Sequence, residues 1–383
     1  MNDNNNPYFQ LFQKQKTNQF RVGNTSYKER IKKLKRLKHA LEHTYKQEIR
    51  DALFADFKKP QLETDLTEIY PVVDEINFVK QELKTWLKRK QVGTPLAMLG
   101  SSSYIINEPK GVCLIISPWN YPINLTFGPL VSAIAGGNTV ILKPSEMTPN
   151  TSKLMAKMVS ALFDDNEIAL VEGEVETAQS LLELPFNHIF FTGSPVVGKI
   201  VMKAASKHLT SVTLELGGKS PTIVDETAHL EKAVRKIVYG KCTNAGQTCI
   251  APDYVLVHES LKDGFIQHFR KEVKAFYSQN PEESTSYSRI VNNKHFERLK
   301  NSLDDAKDKG ASIDAGGALK PSHCYIEPTL VSELTEDTSL MQEEIFGPIL
   351  PLKTFKTLEE AVNYINSKEK PLALYIFSKS KKN

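Results

Sequence analysis

Two stretches near the start of the chain carry the spacing of amphipathic helices. Between residues 27 and 50, apolar side chains recur every three or four positions, which places them on one helical face. A second stretch from 62 to 87 repeats this pattern, and we expect Pro71 to bend or divide it. The apolar positions are Ile31, Leu34, Leu37, Leu41, Tyr45 and Ile49 in the first stretch, and Leu62, Leu66, Ile69, Ile76, Leu83 and Leu87 in the second.

Beyond residue 109 the period changes, because short apolar runs rich in β-branched residues alternate with helical patterns. Strands that alternate with helices predict βαβ units, so we expect an α/β fold with parallel sheets and helices on both faces. The predicted strands are 112–116, 139–143, 169–173, 188–193, 211–217, 221–225, 254–258, 329–332, 347–352 and 373–378. The predicted helices are roughly 123–135, 151–163, 176–184, 196–208, 229–240, 261–276, 292–309 and 358–366.

Residues 86–108 interrupt this alternation. Turn-forming residues at 93–95 and 100–103 predict two exposed strands in a hairpin arm, which is often an assembly element. We therefore expect one α/β domain built from 1–85 and 109–214, a second α/β domain from 215–383, and the hairpin between them in sequence.

Composition excludes several classes of protein. The chain has 383 residues, of which 40% are hydrophobic and 25% charged, which is ordinary for a globular protein and not for a disordered or collagenous one. No apolar run is long enough to span a bilayer, and the N-terminus lacks the pattern of a signal peptide, so we expect a cytoplasmic protein without a transmembrane segment.

Charge gives little reason to expect a polyanionic partner. The net charge is only +4. The helix over 27–50 does carry a basic face, formed by Lys32, Lys33, Lys35, Arg36 and Lys38. We interpret it as a solvated surface and expect no nucleic-acid partner, because interleaved aromatic residues and a recognition motif are missing.

Cys249 is the best candidate for a nucleophile among the four cysteines. Cys113 falls in an apolar strand and Cys242 at the end of a helix, whereas Cys249 ends the polar, glycine-bearing segment NAGQTC. Neither these residues nor Cys324 forms a CxxC pair or lies in a histidine cluster, so we expect free thiols and no metal site. A lone cysteine is more often a small buried hydrophobe, so a second feature is required.

Glu215 and Asn120 are candidates for catalytic groups that would act together with a nucleophilic cysteine. Glu215 places a carboxylate near the end of an apolar strand, where burial would raise its pKa toward that of a general base. The alternative interpretation of Glu215 is a side chain that simply faces solvent. Asn120 lies in PWNYP directly after strand 112–116, so its amide could donate to a developing oxyanion. The alternative interpretation of PWNYP is an ordinary rigid turn without a catalytic role.

Three further motifs lie at predicted turns. In FTGSPVVG, Gly193 and Gly198 flank a strand-to-helix turn that could admit a pyrophosphate, although the spacing is not that of the dinucleotide fingerprint. KPSE follows a strand, and its Lys143 and Glu146 could bond ribose hydroxyls or simply form a surface ion pair. EEIFGP places a carboxylate and an aromatic ring before a Gly–Pro turn.

Taken together and in this order, the motifs resemble those of the aldehyde dehydrogenase superfamily. The resemblance runs from about residue 10 to the end and includes the 34-residue spacing between Glu215 and Cys249. The segment GQTCIAPDY at 246–254 and the short N-terminal region look most like the class 3, fatty-aldehyde branch.

The resemblance implies a Rossmann-like cofactor domain at 1–85 and 109–214, a catalytic domain at 215–383 and an oligomerisation hairpin at 86–108. It also implies oxidation of aldehydes to carboxylic acids with NAD(P)+ through a thiohemiacetal and a thioester on the cysteine. The implied catalytic residues are Cys249 as nucleophile, Asn120 as oxyanion donor and Glu215 as activator of the hydrolytic water. The implied cofactor-binding residues are Lys143, Glu146, Gly193, Ser194, Gly198, Glu344 and Phe346.

Several points stay open at this stage. A carboxylate at Glu146 favours NAD, because it disfavours a 2′-phosphate, yet NADP is also compatible if the side chain swings aside near Lys143. The chain ends before the PFGG-containing loop and tail that the resemblance implies. We therefore expect weakened stability, weakened activity and a doubtful homodimer.

Other classes of function compete with the dehydrogenase. An acylating enzyme that passes the thioester to coenzyme A would not need Glu215. A thiol hydrolase would pair Cys249 with a histidine such as His208 or His258, but no Cys–His spacing supports it. A truncated, non-catalytic nucleotide-binding protein is the main alternative.

Overall fold

The computed structural model describes residues 6–381, which divide into two compact units. The first unit comprises the chain through Leu53 together with Thr64–Glu215, and the second comprises Phe54–Glu63 together with the chain from Leu216 onward. Both contain a mainly parallel sheet with helices, so the predicted α/β class is confirmed.

The elements of the chain through Leu216 follow. The helices are α1 (Phe9–Gly23), α2 (Tyr27–His39), α3 (Lys46–Phe57), α4 (Gln61–Thr64), α5 (Tyr70–Trp86), α6 (Pro122–Gly136), α7 (Pro149–Leu162), α8 (Val175–Leu182) and α9 (Pro195–Ala205). The strands are β1 (Lys90–Val92), β2 (Ser103–Ile105), β3 (Val112–Ile116), β4 (Thr139–Lys143), β5 (Ile168–Leu170), β6 (His188–Gly193) and β7 (Ser211–Leu216). Two π-helical turns cover Ala40–Thr44 and Asp65–Ile69.

The elements of the later chain follow in the same way. The strands are β8 (Pro221–Val224), β9 (Tyr254–His258), β10 (Ser312–Ala315), β11 (Leu319–Lys320), β12 (Tyr325–Ile326), β13 (Thr329–Ser332), β14 (Ile349–Phe355) and β15 (Tyr375–Phe377). The helices are α10 (Leu230–Cys242), α11 (Lys262–Tyr277), α12 (Asn293–Asp308), α13 (Ser339–Gln342) and α14 (Leu358–Asn366).

The five-stranded sheet of the first unit has the order β5-β4-β3-β6-β7. Strand β3 pairs in parallel with β4 and with β6, and β4 pairs in parallel with β5. The central strands are buried along nearly their whole length, as expected for a parallel sheet covered by helices. The strands predicted at 112–116, 139–143 and 188–193 have the predicted bounds.

The second unit contains a six-stranded sheet with the order β10-β13-β14-β9-β8-β15. All neighbouring strands in it are parallel except β10, which runs antiparallel to β13. Its main core is a cluster of buried side chains from β9, β13 and β14 and from helices α10, α11 and α12. Strand β15 lies at the edge of this sheet.

The first N-terminal helical pattern is interrupted where a continuous helix was expected, and the second divides close to Pro71. The first is broken by the π-helical turn at 40–44, where the Tyr45 N–H bonds to the carbonyl of Ala40. The apolar face is nevertheless buried through Ile31, Leu34 and Leu37.

The second pattern divides at the π-helical turn Asp65–Ile69, and Pro71 lies in the first turn of α5, where its missing N–H costs little. Leu62 and Leu66 are exposed, so helical spacing of apolar residues does not mark a buried face at these two positions.

Helix α1 was not predicted from the pattern, because few of its residues are apolar and buried. Phe12 packs edge-on against Phe186, with ring centroids 5.1 Å apart. The fully buried Gln15 side chain donates hydrogen bonds to the carbonyls of Val140 and Asp165. The two bonds donated by the Gln15 amide therefore help to fix this helix, and periodicity alone does not reveal such a contact.

Residues 86–108 contain the short antiparallel pair β1 and β2. Leu96 and Leu99, between the two strands, are 85% and 87% exposed. In residues 6–381, no helix combines the length and the apolar character that a bilayer crossing requires.

Candidate active site

Three parallel strands bring one group of predicted residues to the same edge of the first unit's sheet. Asn120 follows β3, Lys143 is the last residue of β4, and Ser194 follows β6. Because β4 and β6 flank β3 in parallel, the carboxyl ends of all three strands meet at one edge. Open parallel sheets bind ligands at this edge.

The turn that carries Asn120 is held by a buried carboxylate that the sequence analysis missed. Asn120 is almost fully buried, and α6 begins two residues later at Pro122. The fully buried Glu68 carboxylate accepts hydrogen bonds from the N–H groups of Ile123 at 3.1 Å and Asn124 at 3.0 Å. A negative charge is favoured at a helix N-terminus, so Glu68 anchors the start of α6 next to Asn120.

Lys143 and Glu146 form an ion pair at the end of β4. The Lys143 Nζ lies 3.0 Å from the Glu146 carboxylate. The lysine is buried, whereas the glutamate side chain is 34% exposed. The pair is therefore anchored in the sheet and is not a mobile surface pair, and its accessible carboxylate can accept hydrogen bonds from vicinal hydroxyls.

The strand-to-helix turn after β6 has the features of an anion-binding helix start. Ser194 caps α9, and its Oγ accepts a hydrogen bond from the Val197 N–H at 3.4 Å. A Cβ on Gly193 would lie 2.5 Å from the Phe191 ring, so this position requires glycine. Gly198 is buried in the first turn of α9.

A polar atom at this turn also lacks a partner. The Thr192 hydroxyl is buried and makes no hydrogen bond within the described residues. An orphaned donor beside a helix start, together with the ion pair after β4, fits the phosphates and a ribose of a dinucleotide.

Glu215 is not buried. It lies near the end of β7 and is exposed. Of the two interpretations left open by the sequence, the solvent-facing one is correct, because an apolar run at the edge strand of a sheet does not oblige every residue in it to be covered.

In the described structure, the cysteines differ in burial. Burial raises the pKa of the Cys113 and Cys242 thiols to about 12, which leaves them inert. Cys324 is partly exposed, and burial raises its pKa too. Cys249 is also partly exposed, as a nucleophile must be.

The loop before Cys249 has an unusual backbone. Asn244, Ala245 and Gly246 all have positive φ, at 55°, 50° and 75°. The fully buried Gln247 side chain stabilises this conformation by donating to the Asn244 carbonyl at 2.9 Å and accepting from the Val291 N–H at 3.0 Å. Non-glycine residues in this region carry strain that surrounding contacts must offset, and such strain is concentrated at functional sites.

Two more contacts hold this loop at its ends. The Asn244 N–H donates to the Glu63 carboxylate at 2.8 Å. On the far side of Cys249, the Tyr375 hydroxyl donates to the Ile250 carbonyl at 2.5 Å. The loop is therefore fixed on both sides of the thiol by residues distant in sequence.

The Cys249 loop lies directly against the loop that carries Glu344 and Phe346. A Cβ on Gly246 would lie 2.2 Å from the Gly347 carbonyl oxygen, so the two backbones touch at this point. Phe346 itself has a φ of 48°, a second left-handed residue beside the site. The structure thus brings the predicted nucleophile and two predicted cofactor residues into adjacent loops of one unit.

The Glu344 carboxylate packs directly against Gly217, so a larger residue at 217 would displace it. A Cβ on Gly217 would lie 2.3 Å from this carboxylate, and the Gly218 N–H donates to it. Burial raises the pKa of Glu344 to about 7, while the nearby Lys219 and Lys241 lower it. A carboxylate with few competing partners suits recognition of ribose hydroxyls, so this donor set also fits the dinucleotide.

The histidines considered for a thiol hydrolase make other hydrogen bonds. His208 Nε2 bonds to the Glu183 carbonyl, and His258 bonds to the Ser260 hydroxyl and the Lys356 carbonyl. Within residues 6–381, no group of three or more His, Cys, Asp or Glu residues is arranged to hold a metal ion.

Comparison with known proteins agrees with these features. Residues 10–383 match the model of the aldehyde dehydrogenase family. The chain is 49% identical over 349 residues to 4,4′-diaponeurosporen-aldehyde dehydrogenase of Staphylococcus aureus, covering 91% of this chain and 75% of that protein. It is 44% identical over 353 residues to aldehyde dehydrogenase family 3 member A2 of Pongo abelii, covering 92% and 72%.

A solved structure of Staphylococcus aureus AldH in its substrate-bound state superposes with a TM-score of 0.93 at 47% identity, covering 97% of this chain and 81% of that one. These matches favour a catalytic protein over the non-catalytic alternative. The chain belongs to the aldehyde dehydrogenase family, has class 3 members among its relatives, and is an NAD(P)-dependent aldehyde dehydrogenase.

Proposed function

We propose that Cys249 is the nucleophile with which this chain oxidises aldehydes to carboxylic acids. The observation that carries the proposal is the contact between the Cys249 loop and the Glu344 loop at Gly246 and Gly347. A partly exposed thiol beside a cofactor-binding carboxylate is what covalent aldehyde oxidation requires.

The Cys249 thiol loses its proton to solvent, the resulting thiolate attacks the aldehyde carbonyl carbon, and the carbonyl oxygen becomes the oxyanion of a thiohemiacetal. Attachment to the protein makes the next step effectively unimolecular. The NAD(P)+ that Lys143, Glu146 and Glu344 would hold would supply the hydride acceptor needed to oxidise this adduct to a thioester. Water then attacks the thioester, releasing the carboxylic acid and the free thiol.

In the proposed reaction, Asn120 acts on the oxyanion and Glu215 acts on the attacking water. The Asn120 amide donates to the oxyanion, and its turn is kept rigid by the bonds from α6 to Glu68. Glu215 takes a proton from the attacking water, and its exposure leaves it accessible to water. A water-activating carboxylate favours hydrolysis of the thioester over its transfer to coenzyme A.

Cofactor binding divides among the remaining residues. Lys143 and Glu146 hold the adenine-side ribose, and the turn at Gly193, Ser194 and Gly198 receives the pyrophosphate. Glu344 holds the nicotinamide-side ribose, and Phe346 packs against the nicotinamide. The accessible carboxylate of Glu146 makes NAD the preferred form.

The hairpin arm is proposed to form a homodimer interface. Leu96, Met98, Leu99 and Ile105 are all more than half exposed, and monomers rarely expose such a patch. We also place the protein in the cytoplasm, where its four unbridged cysteines stay reduced. Light scattering after gel filtration tests the dimer: Leu99→Asp should give a monomer, and a wild-type monomer would contradict the proposal.

The reaction is tested by NADH formation from a medium-chain aldehyde, with and without coenzyme A. We expect wild-type turnover that does not depend on coenzyme A and no measurable turnover in Cys249→Ala. Mass spectrometry of the protein during turnover should show an acyl adduct on the peptide that contains Cys249. Turnover that survives Cys249→Ala would exclude this thiol as the nucleophile.

A further inference from the structure

The loop that carries Glu344 is held by a buried ion pair contributed by two other segments. Lys219 Nζ contacts the Asp253 carboxylate, and the side chains retain only 17% and 5% exposure. Neither residue was singled out by the sequence analysis. Asp253 follows Cys249 by four positions, and Lys219 follows the two glycines that lie against Glu344.

Both members of the pair bond the backbone on either side of Glu344. Lys219 Nζ donates to the carbonyls of Leu340 and Glu343, each at 2.8 Å. The second Asp253 oxygen, Oδ2, accepts from the Ile345 N–H at 2.9 Å. The peptide groups immediately before and after Glu344 are therefore fixed by opposite charges.

A second cation completes this arrangement. Arg298, on α12, donates to the Ile345 carbonyl at 2.7 Å. The segment 343–345 thus has bonds to its Glu343 carbonyl, its Ile345 N–H and its Ile345 carbonyl, all from side chains. No regular strand or helix covers these residues, so side chains must supply the bonds that secondary structure supplies elsewhere.

We propose that Lys219 and Asp253 are positioning residues for the cofactor, because they hold the Glu344 backbone so that its carboxylate meets the ribose hydroxyls. The inference rests on the proposed function of Glu344. It adds that affinity for the nucleotide depends on two residues that do not themselves touch it. The pair also connects the segment after Cys249 to the Glu344 loop, so one ion pair aligns both loops.

Energetics favour a role beyond stability alone. A buried ion pair is often no more stabilising than apolar residues of similar volume, because both charges lose their hydration. Here the ion pair also fixes the position of the Glu344 loop, since each charged side chain bonds a defined backbone group. Loss of either charge leaves the other buried and unpaired, so single variants should release the segment 343–345.

The test uses the full chain with the variants Lys219→Met and Asp253→Asn. NADH binding, followed by its fluorescence, should weaken about tenfold in both, as expected when one or two hydrogen bonds lose their geometry. Hydrogen exchange at the Ile345 amide, measured without nucleotide, should accelerate at least about tenfold. Lys219→Arg keeps the charge and several donors, and should restore most of the affinity.

Glu336→Gln is the matched control. Glu336 is another carboxylate of the same unit, and it contacts Lys353, accepts from Lys368 at 2.7 Å and accepts from the Tyr364 hydroxyl at 3.0 Å. Its loss should lower the melting temperature without changing NADH affinity or exchange at Ile345.

The outcomes separate this inference from the proposed function. A wild-type protein that binds NADH, with affinity and Ile345 exchange unchanged in Lys219→Met and Asp253→Asn, would overturn the positioning role alone. A wild-type protein that does not bind NADH would overturn the cofactor role of Glu344 and this inference with it. Equal losses of affinity in Glu336→Gln would show a general effect of stability and would also overturn it.

Discussion

The two regions implicated in cofactor binding are built in different ways. In the first unit, Lys143 and Ser194 lie at the ends of strands β4 and β6, whose backbone bonds fix their positions. In the second unit, the segments 244–249 and 343–346 carry left-handed residues and are held by side chains such as Gln247 and Asp253. A substitution in the first region should therefore change only binding, whereas one in the second should also displace the loop.

The largest effect is expected for the nucleophile. Cys249→Ala should reduce aldehyde-dependent NADH formation by on the order of 10⁴-fold or more, because no covalent adduct can form. NADH binding should persist, which separates chemistry from cofactor recognition. Cys324→Ala is the control, since that thiol is also partly exposed, and it should retain activity within about twofold. Equal losses in the two variants would contradict the assignment.

The next effect concerns the tight contact between the two loops of the second unit. Gly246→Ala should lower the free energy of unfolding by about 2–4 kcal/mol, because it adds a clash with the Gly347 carbonyl to left-handed strain. Gly310→Ala is the matched control: Gly310 also has a positive φ, at 89°, but a Cβ there would meet no atom within 4 Å. It should cost only about 1–2 kcal/mol. Urea denaturation measures both variants. Equal losses of unfolding free energy would show that the close contact between the two loops contributes no specific stability.

A smaller effect is expected in the pH dependence of cofactor binding. Burial raises the pKa of Glu344 to about 7, against an ordinary value of 4.5. Affinity for NADH should therefore rise several-fold from about pH 6 to about pH 8, as the carboxylate that accepts ribose hydroxyls forms. Glu344→Gln should bind more weakly and show no such rise, and a rise that persists in this variant would assign the titration to another group.

The same shift has a consequence for stability. Because the folded-state pKa lies above the unfolded one, the contribution of Glu344 to the free energy of unfolding is full below about pH 4.5. It is lost as the pH rises through about 7. The charges near this carboxyl are Asp253, Lys219, Lys241 and Arg298. Glu344→Gln should therefore gain stability relative to the wild type over this range, as measured by urea denaturation.

The smallest structural effect is expected in the first unit. Glu146→Gln keeps an oxygen that can accept from Lys143, so the free energy of unfolding should change by less than about 1 kcal/mol. The ratio of NADP to NAD affinity should rise about tenfold, because a carboxylate no longer opposes the 2′-phosphate. A large loss of stability in Glu146→Gln would contradict the proposed contrast between the cofactor regions of the first and second units.

Much of the fold could be predicted because it depends on local patterns. Strands β3, β4, β6, β9 and β13 were predicted with the bounds they have in the structure, since buried parallel strands are short apolar runs. Helix α1 was missed, because it is fixed by Phe12 and the hydrogen-bonded Gln15 and not by an apolar stripe. The π-helical turns at 40–44 and 65–69 also lack a simple local signal.

The sequence offers candidates for the functional residues of the site but not for the residues that support them. Cys249, Asn120 and Glu344 each lie at a turn with a distinctive local composition. Their supports come from remote segments: Glu68 bonds residues 55 and 56 positions away, and Asp253 bonds Ile345 across 92 positions. The exposure of Glu215 was likewise not readable from its strand.

The sequence by itself determined the α/β class and the parallel strands and supplied the candidates for reactive residues, because periodicity and composition are local properties. Only the tertiary structure decided which thiols are inert, that the Cys249 and Glu344 loops touch, and that Lys219 and Asp253 hold the second of them. The physical reason is that burial and hydrogen bonding depend on which segments meet in space, and the chain must fold before those partners exist.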